Sequence, residues 1–286
     1  EANNKEHILL ALCGMSPAVI SETIYVLNQS NNCPDSLVVI TTTAGKKVLQ
    51  REFFDSGVWQ KLLQNIDKKI SFSLNHKHCR ILPAEDGNAP DITNTADVEN
   101  AADFILETLR QFTENPETRI TFSIAGGRKS MTASAALCMS LLGRTEDQLC
   151  HVLVTPPFED PRLQPKFYFP CPETIHKTPD GNSIPASTAQ LQLSFLPYVR
   201  CRYLIQNELQ RLPGNYEKIV LAATNKAEAI SKPKKLIIDL MQETVIIGDT
   251  KIKLQFFSFM LYWMLAERAQ KRQKKLHGSL ELYENF

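Results

Sequence analysis

Residues 7–27 read HILLALCGMSPAVISETIYVL, and residues 119–131 read RITFSIAGGRKSM. Both stretches follow one grammar: a short strand-like run, a tight turn of small residues, then a helical pattern. His7–Leu12 is apolar nearly throughout, as expected of a strand covered on both faces. The loop Cys13-Gly14-Met15-Ser16 leads to Pro17, and Val19, Ile20, Ile24 and Leu27 then fall on one helical face. Ser followed by Pro suits a helix start, because Ser accepts from orphan N–H groups and Pro fits the first helical position. Arg119–Ala125 reads as a strand, Gly126-Gly127-Arg128-Lys129-Ser130-Met131 as a turn, and the small residues up to Leu142 as a helix.

The same alternation fills the ground around them. Ser36–Thr41 (SLVVIT) is a strand that runs through Thr42-Thr43-Ala44-Gly45 into a basic helix beginning near Lys46. One or two strands are expected around Ile70–Leu74 and Cys79–Leu82, followed by a polar connection at Glu85–Asn94. Val98, Ala101, Ala102, Ile105 and Leu109 mark a helix over Ala96–Phe112, where Asp91 and Asp97 flank the start as capping carboxylates do. Leu149–Val154 is another strand. The expected fold is α/β: a Rossmann-like, mostly parallel sheet with helices on both faces.

From Thr155 to Pro185 prolines recur, and an extended excursion with one strand near Lys166–Phe169 is expected, then a helix from about Leu196 to Leu212. The last third reads as a separate module. Lys235–Asp239 and Thr244–Ile247 are short strands, Gly248-Asp249 a hairpin turn, and Ile252-Lys253-Leu254 the lead into a helix over Phe256–Ala269. Strand, strand, helix suggests a small winged-helix-like α+β unit, with domain limits at 1–212 and 213–286. The charge run Gln270–Lys275 reads as a solvated helix end.

Of 286 residues, 43% are hydrophobic and 22% charged, the balance of a globular chain with ample core material. Thirty-two Lys and Arg against 31 Asp and Glu leave a net charge of +1, which argues against coating long nucleic acid. A small anion in one basic pocket remains compatible, and DNA stays open to the C-terminal module. Seven cysteines stand singly with no CxxC pair, a pattern expected of reduced, mostly buried thiols in a cytoplasmic protein. No apolar run approaches the ~18 residues of a membrane span, so no membrane partner is expected.

Two turns carry the chemistry. Paired Gly126 and Gly127 let backbone N–H groups approach a phosphate, the following helix start adds partial positive charge, and Arg128 and Lys129 add full charges. Taken singly, that turn also reads as a tight bend with surface charges, and Ser16 as a simple N-cap. Both, however, belong to strand-to-helix loops, which gather at the carboxyl edge of a parallel sheet. Thr42 and Thr43 add hydroxyls after the second strand. GGRK does not fit the GxxxxGK[ST] phosphate loop, which disfavours a nucleoside triphosphatase. His76, His78 and Cys79 lack a visible further metal partner, and neither a metal nor a cofactor is expected.

The run LLALCGMSPAVISETIYVL, the strand end VVITTTAG, and SIAGGRKSM together resemble the CRISPR-associated Rossmann fold (CARF) family, in particular its standalone ring-nuclease branch in type III systems. The likeness spans most of residues 7–200; SPxVxxE combined with GGRKxM is the specific part. The resemblance implies a homodimer with one two-fold symmetric pocket for a cyclic oligoadenylate, most often cyclic tetraadenylate. It implies metal-free cleavage to linear products ending in a 2′,3′-cyclic phosphate, which switches signalling off. Carried across, the family's loop serine is Ser16 and its basic catalytic residue Lys129, with Arg128 assisting. Gly14, Met15, Pro17, Thr42, Thr43, Ala125, Gly126, Gly127 and Ser130 complete the ligand-binding set. The alternative within the resemblance is a sensor that binds the same messenger uncleaved and passes the signal to DNA or a downstream effector. A third class, an unrelated nucleotide-binding enzyme, lacks its fingerprints here.

Overall fold

The computed structural model describes residues 5–84, 87–211, 215–231, 235–248 and 250–271. In chain order come β1 (Glu6–Leu12), α1 (Ala18–Gln29), β2 (Ser36–Thr41), α2 (Thr43–Leu49), a π-helical stretch (Gln50–Asp55) and α3 (Val58–Ile66). Next are β3 (Cys79–Ile81), the short pair β4 (Pro83–Ala84) and β5 (Gly87–Asn88), α4 (Thr95–Thr113), β6 (Thr118–Ser123), α5 (Lys129–Leu142) and β7 (Gln148–Val154). Then follow β8 (Ile175–Lys177), β9 (Ser183–Pro185), β10 (Leu191–Phe195), α6 (Arg202–Arg211) and α7 (Tyr216–Ser231). The chain continues with β11 (Leu236–Asp239), β12 (Thr244–Ile247), β13 (Thr250–Lys253) and α8 (Phe256–Gln270).

The main sheet has six strands in the order β10-β7-β6-β1-β2-β3. All its pairings are parallel except β7 with β10, which is antiparallel. The unbroken apolar run of β1 follows from its central place. Ile8, Leu10 and Leu12 enter one core with α4 and α5, while Leu9, Ala11 and Cys13 enter a second core with α1 and α3 on the opposite face. Alternate side chains of a strand point to opposite faces, so both sets must be apolar. Each such fully buried Leu or Ile contributes about 1.5–3 kcal/mol. The fold is the Rossmann-like α/β sheet that the sequence led us to expect.

Several elements differ from the sequence reading, among them Ile252 and Lys253, which belong to β13 instead of a lead into α8. Ile70–Leu74 forms no strand; it contributes one bridge, Ser71 to Ser36. Lys166–Phe169 is not a strand either, and its aromatics are buried in coil: Phe167 helps build a small core with Phe158 and Leu163, and Phe169 joins the α1 side. The expected helix over Leu196–Leu212 starts only at Arg202, and β10 precedes it. Pro197 lacks an N–H for a helical bond and disfavours helical backbone at Leu196 before it.

The chain divides into two compact units, Glu1–Asn225 and Lys226–Phe286. The division falls within α7 rather than at 212/213, because Ile219 and Ala223 of α7 are buried in the α4–α5 core. The second unit has an antiparallel β11-β12-β13 sheet followed by α8, with Val245 and Phe259 buried. Leu212, Asp249 of the expected hairpin turn, Glu85 at the start of the polar connection, and the charge run beyond Lys271 lie outside the described residues. All seven cysteines are free thiols, and Cys13, Cys79, Cys138 and Cys150 are buried. Among the described residues no helix is long and apolar enough to cross a membrane.

Candidate functional site

β1 and β6 are neighbours from which the chain departs in opposite directions, β1 toward β2 and β3, β6 toward β7. Such a reversal opens a crevice beyond the carboxyl ends of the two strands, where open α/β sheets bind ligands. The turns at 13–17 and 124–128 form its walls.

The two turns meet backbone to backbone. A β-carbon on Gly14 would lie 3.4 Å from Gly127 Cα and 3.5 Å from its nitrogen. Gly127 has φ +83°, in the left-handed region that side chains penalise. A β-carbon on Gly126 would collide with the Leu12 carbonyl oxygen and sit 3.1 Å from Val19 Cγ2. One on Gly45 would collide with the Thr41 hydroxyl and lie 3.2 Å from the Gly14 carbonyl oxygen. The loops after β2 and β6 thus have no room for a side chain at Gly45 and Gly126, while the loop after β1 meets Gly127 at ordinary contact distance.

Both turns run into helices whose ends are electrostatically open. Neither α1 nor α5 has a side chain bonded at its N-cap, and neither carries Asp or Glu in its first turn. Helices of this length present unpaired N–H groups and about half a positive charge at their starts, a ready seat for an anion. Ser16 and Lys129 are both exposed at these starts, and neither side chain has a hydrogen-bond or ion-pair partner among the described residues. Arg128 differs: its guanidinium is paired with Asp91, which holds that carboxyl below the usual carboxylate range. Asp91 is therefore a partner of the basic turn and not a cap of α4, whose capping box is Asn94 with Asp97.

The threonines after β2 serve the loops themselves. Thr41 donates its hydroxyl to the Cys13 carbonyl at 2.7 Å, tying the first turn to β2. Thr42 is buried and accepts from Gly45 N at 3.2 Å, capping α2. Thr43 donates its N–H to the Ala89 carbonyl at 2.9 Å, and its buried hydroxyl has no partner. Gly14, Met15, Ser16, Pro17, Ala125, Gly126, Gly127, Lys129 and Ser130 all belong to the two touching turns; Met15 is 64% exposed and Pro17 buried.

Beside the crevice opens a cavity of about 280 Å³, whose lining includes Met15, Ser16, Ala125, Phe158 and Tyr168. Two carboxyls also face it: Glu22, the glutamate of SPxVxxE, and Glu52, which the sequence did not single out. Glu52, on the π-helical stretch, accepts from Lys166 Nζ at 2.7 Å, Arg51 at 2.8 Å and the Tyr168 hydroxyl at 3.0 Å. Burial pushes its carboxyl up, but those three donors outweigh burial and hold it below its ordinary value. Glu22, only 6% exposed on α1, makes no hydrogen bond or ion pair among the described residues, and burial pushes its carboxyl up to about 7. The sequence names it only as the last residue of SPxVxxE, and the structure adds that it is buried.

A larger hollow of about 700 Å³ lies at the outer edge of the sheet, where Lys46, His76, Lys77 and Arg80 give it a basic rim, but none of the residues of the two glycine turns lines it. His76 and His78 do not share a strand face, because β3 begins only at Cys79; His76 is exposed, and buried His78 bonds Ser73 at 3.2 Å. Among the described residues no group of three His, Cys, Asp or Glu is placed to hold a metal.

Comparison with curated proteins finds no match. Among solved structures the chain is similar to Enterococcus italicus Csm6 bound to cyclic hexa-2′-fluoro-hexa-dAMP, at 14% identity and a TM-score of 0.39, covering 79% of this chain and 47% of that one. The chain thus spans about half the length of that Csm6. It is also similar to Can2 from Sulfobacillus thermosulfidooxidans in complex with cyclic tetra-adenylate (cA4), at 12% identity and a TM-score of 0.27, covering 87% of this chain and 75% of that one. The family model described as CRISPR-associated protein NE0113 (Cas_NE0113) matches residues 16–228, from the serine of the first turn into α7. The chain belongs to this CRISPR-associated family.

Proposed function

We propose that this protein binds a cyclic oligoadenylate, with cyclic tetraadenylate the first candidate, across the β1/β6 crevice of a homodimer, and cleaves it without a metal. One observation carries the reading: two glycine turns in backbone contact, each opening an uncapped helix, with Ser16 and Lys129 unpaired beside them. That arrangement suits a phosphodiester, since N–H groups and helix starts stabilise its charge without a side-chain counter-ion. Membership of a CRISPR-associated family and the sequence resemblance to ring nucleases supply the messenger.

The chemistry is intramolecular. A ribose 2′-oxygen attacks the phosphorus of its own 3′-phosphodiester, the bond to the 5′-oxygen breaks, and the departing oxygen takes up a proton. The 2′-hydroxyl proton passes to solvent, and the product is linear with a 2′,3′-cyclic phosphate. Holding the ring with that 2′-oxygen in line supplies much of the rate. Lys129 and the N–H groups of the Gly126-Gly127 turn would stabilise charge developing on the phosphoryl oxygens, and Ser16 would orient the phosphate. A two-fold dimer would present each half of a symmetric ring with the same constellation.

The alternative, a sensor that binds the ring uncleaved, draws support from the separate unit Lys226–Phe286, a part that cleavage does not call for. One assay decides between them. The protein is incubated with cyclic tetraadenylate in EDTA and the products are read by mass spectrometry, beside Lys129→Ala and Ser16→Ala. Linear products lost in both variants support cleavage; tight binding with no product supports the sensor; no binding refutes both.

A further inference from the structure

Glu22 and Ser16 line the same cavity from one helix start. Side chains on a helix lean toward its N-terminus, and residues four apart stand one above the other. Ala18 and Glu22 are such a pair, and with Val19 both line the cavity, so the Glu22 carboxyl leans back toward the Ser16 turn. Phe158, Phe167 and Tyr168 also line it. At about 280 Å³ the space is just under the range of pockets that engulf whole drug-sized ligands. It suits one base, not a ring of four nucleotides.

We infer that this side cavity seats one adenine base of the ring, and that Glu22, as a neutral carboxylic acid, is the residue that reads it. The inference rests on the proposal that the neighbouring crevice holds a cyclic oligoadenylate. A neutral carboxyl both donates and accepts, which matches adenine, whose N1 accepts and whose N6 amine donates. An ionised carboxylate only accepts and matches guanine, whose N1 and N2 both donate. Aromatic walls add stacking that any base can use, so the carboxyl carries the discrimination. A buried carboxyl without an ion-pair partner is costly to keep unless it serves something, and here it faces a cavity.

Glu52, His151, Glu159, Asp160, Lys166 and Tyr168 face the same space. Lys166 and Tyr168 are bound to Glu52, and Asp160 is held down to about 2 by Arg162. Glu159 and His151 stand apart from these pairs. Glu22→Gln separates Glu22 from these neighbours, because an amide keeps one donor and one acceptor and cannot titrate.

Affinity for cyclic tetraadenylate is measured at pH 6 and pH 8 for the wild type, Glu22→Gln and Glu22→Ala, together with the rate of ring cleavage. The wild type is expected to bind about tenfold more tightly at pH 6 than at pH 8, as the neutral fraction of a carboxyl near 7 falls. Glu22→Gln should hold the tighter affinity at both pH values and keep cleaving, and Glu22→Ala should bind about tenfold or more weakly at both. A pH dependence that persists in Glu22→Gln assigns it to another group facing the cavity and overturns the inference. So does a Glu22→Gln protein that binds normally but no longer cleaves, which would make Glu22 a proton acceptor. A wild type that binds the ring, with both variants unchanged, sinks this inference alone; a wild type that binds no ring at either pH sinks the functional proposal with it.

Discussion

Gly126→Ala and Gly14→Ala add the same methyl group to the two touching turns, and the structure assigns them opposite outcomes. At Gly126 the new carbon falls inside 3.0 Å of the Leu12 carbonyl oxygen and 3.1 Å from Val19 Cγ2. Leu12 is the last residue of a central strand, paired on both sides, so the 124–128 turn is expected to give way. At Gly14 the nearest atoms are 3.4, 3.5 and 3.7 Å off, ordinary contact distances, and φ is not positive. Forcing a methyl into a closed contact costs about 1–3 kcal/mol. With a urea slope of about 2–3 kcal/mol/M, the unfolding midpoint of Gly126→Ala should drop by roughly 0.3–1.5 M. Gly14→Ala should leave it unchanged or raise it slightly, as loss of unfolded-chain freedom contributes up to about 1 kcal/mol. Trp59, stacked on Phe53 in the first unit, reports the transition in a Trp263→Phe background, which silences the tryptophan of the second unit. The turn that shifts also carries Lys129, and a misplacement of ~1 Å costs about 100-fold in rate, so ring cleavage should fall far more in Gly126→Ala than in Gly14→Ala. Equal midpoints for the two variants, or a Gly14→Ala protein as damaged as Gly126→Ala, would refute the idea that the Leu12 carbonyl fixes this turn.

Three further outcomes are expected. His7 is buried in β1, bonded to the Thr121 hydroxyl at 2.8 Å, and burial, with Arg119 nearby, pulls its ring down to about 4. The unfolded chain takes up that proton first, so this group's stability contribution is complete above about pH 6.5 and is lost between there and pH 4, about 3 kcal/mol in all. Urea midpoints across that range should fall less steeply in His7→Leu than in the wild type. For Glu22 the sign reverses: with the folded carboxyl raised to about 7, stability is lost as pH climbs from about 4.5 to 7, and Glu22→Gln should be more stable than the wild type at pH 8, by an amount on the order of 3 kcal/mol. Asp91→Ala frees the exposed Arg128 guanidinium beside the crevice; its urea midpoint should match that of the wild type while its affinity for cyclic tetraadenylate rises, and an unchanged affinity would assign Arg128 to loop anchoring.

The central sheet was legible because β1 is apolar at consecutive positions, and only a strand with both faces covered needs that. The two glycine turns were legible as well, since a doubled glycine between strand and helix has few purposes. β10 was not: Leu191, Leu193 and Phe195 alternate with Gln192 and Ser194, a half-buried strand, but the stretch flows into LPYVR and takes on the look of a helix start. Phe167 and Phe169 announced burial without saying in what backbone, and the coil there is stabilised by packing instead of a ladder. Glu22 was visible as the glutamate of SPxVxxE, but its burial was not. A single glutamate on a helix normally faces water, and this one is buried because α1 packs beneath β7 and β10, a fact of tertiary arrangement that no local pattern encodes. Thr42 was legible as a turn residue, while its capping bond to Gly45 depends on where α2 begins.

A turn built where Gly126 abuts the Leu12 carbonyl and Gly127 takes a left-handed backbone is defined by what is missing from it. No functional group there can be traded for a better one, and nearly every replacement subtracts. A diverging lineage can therefore rewrite most of its surroundings and still keep the seat, provided two hydrogens stay hydrogens. Across such sequences the mark of the site would be a pair of enforced vacancies rather than a shared acid or base.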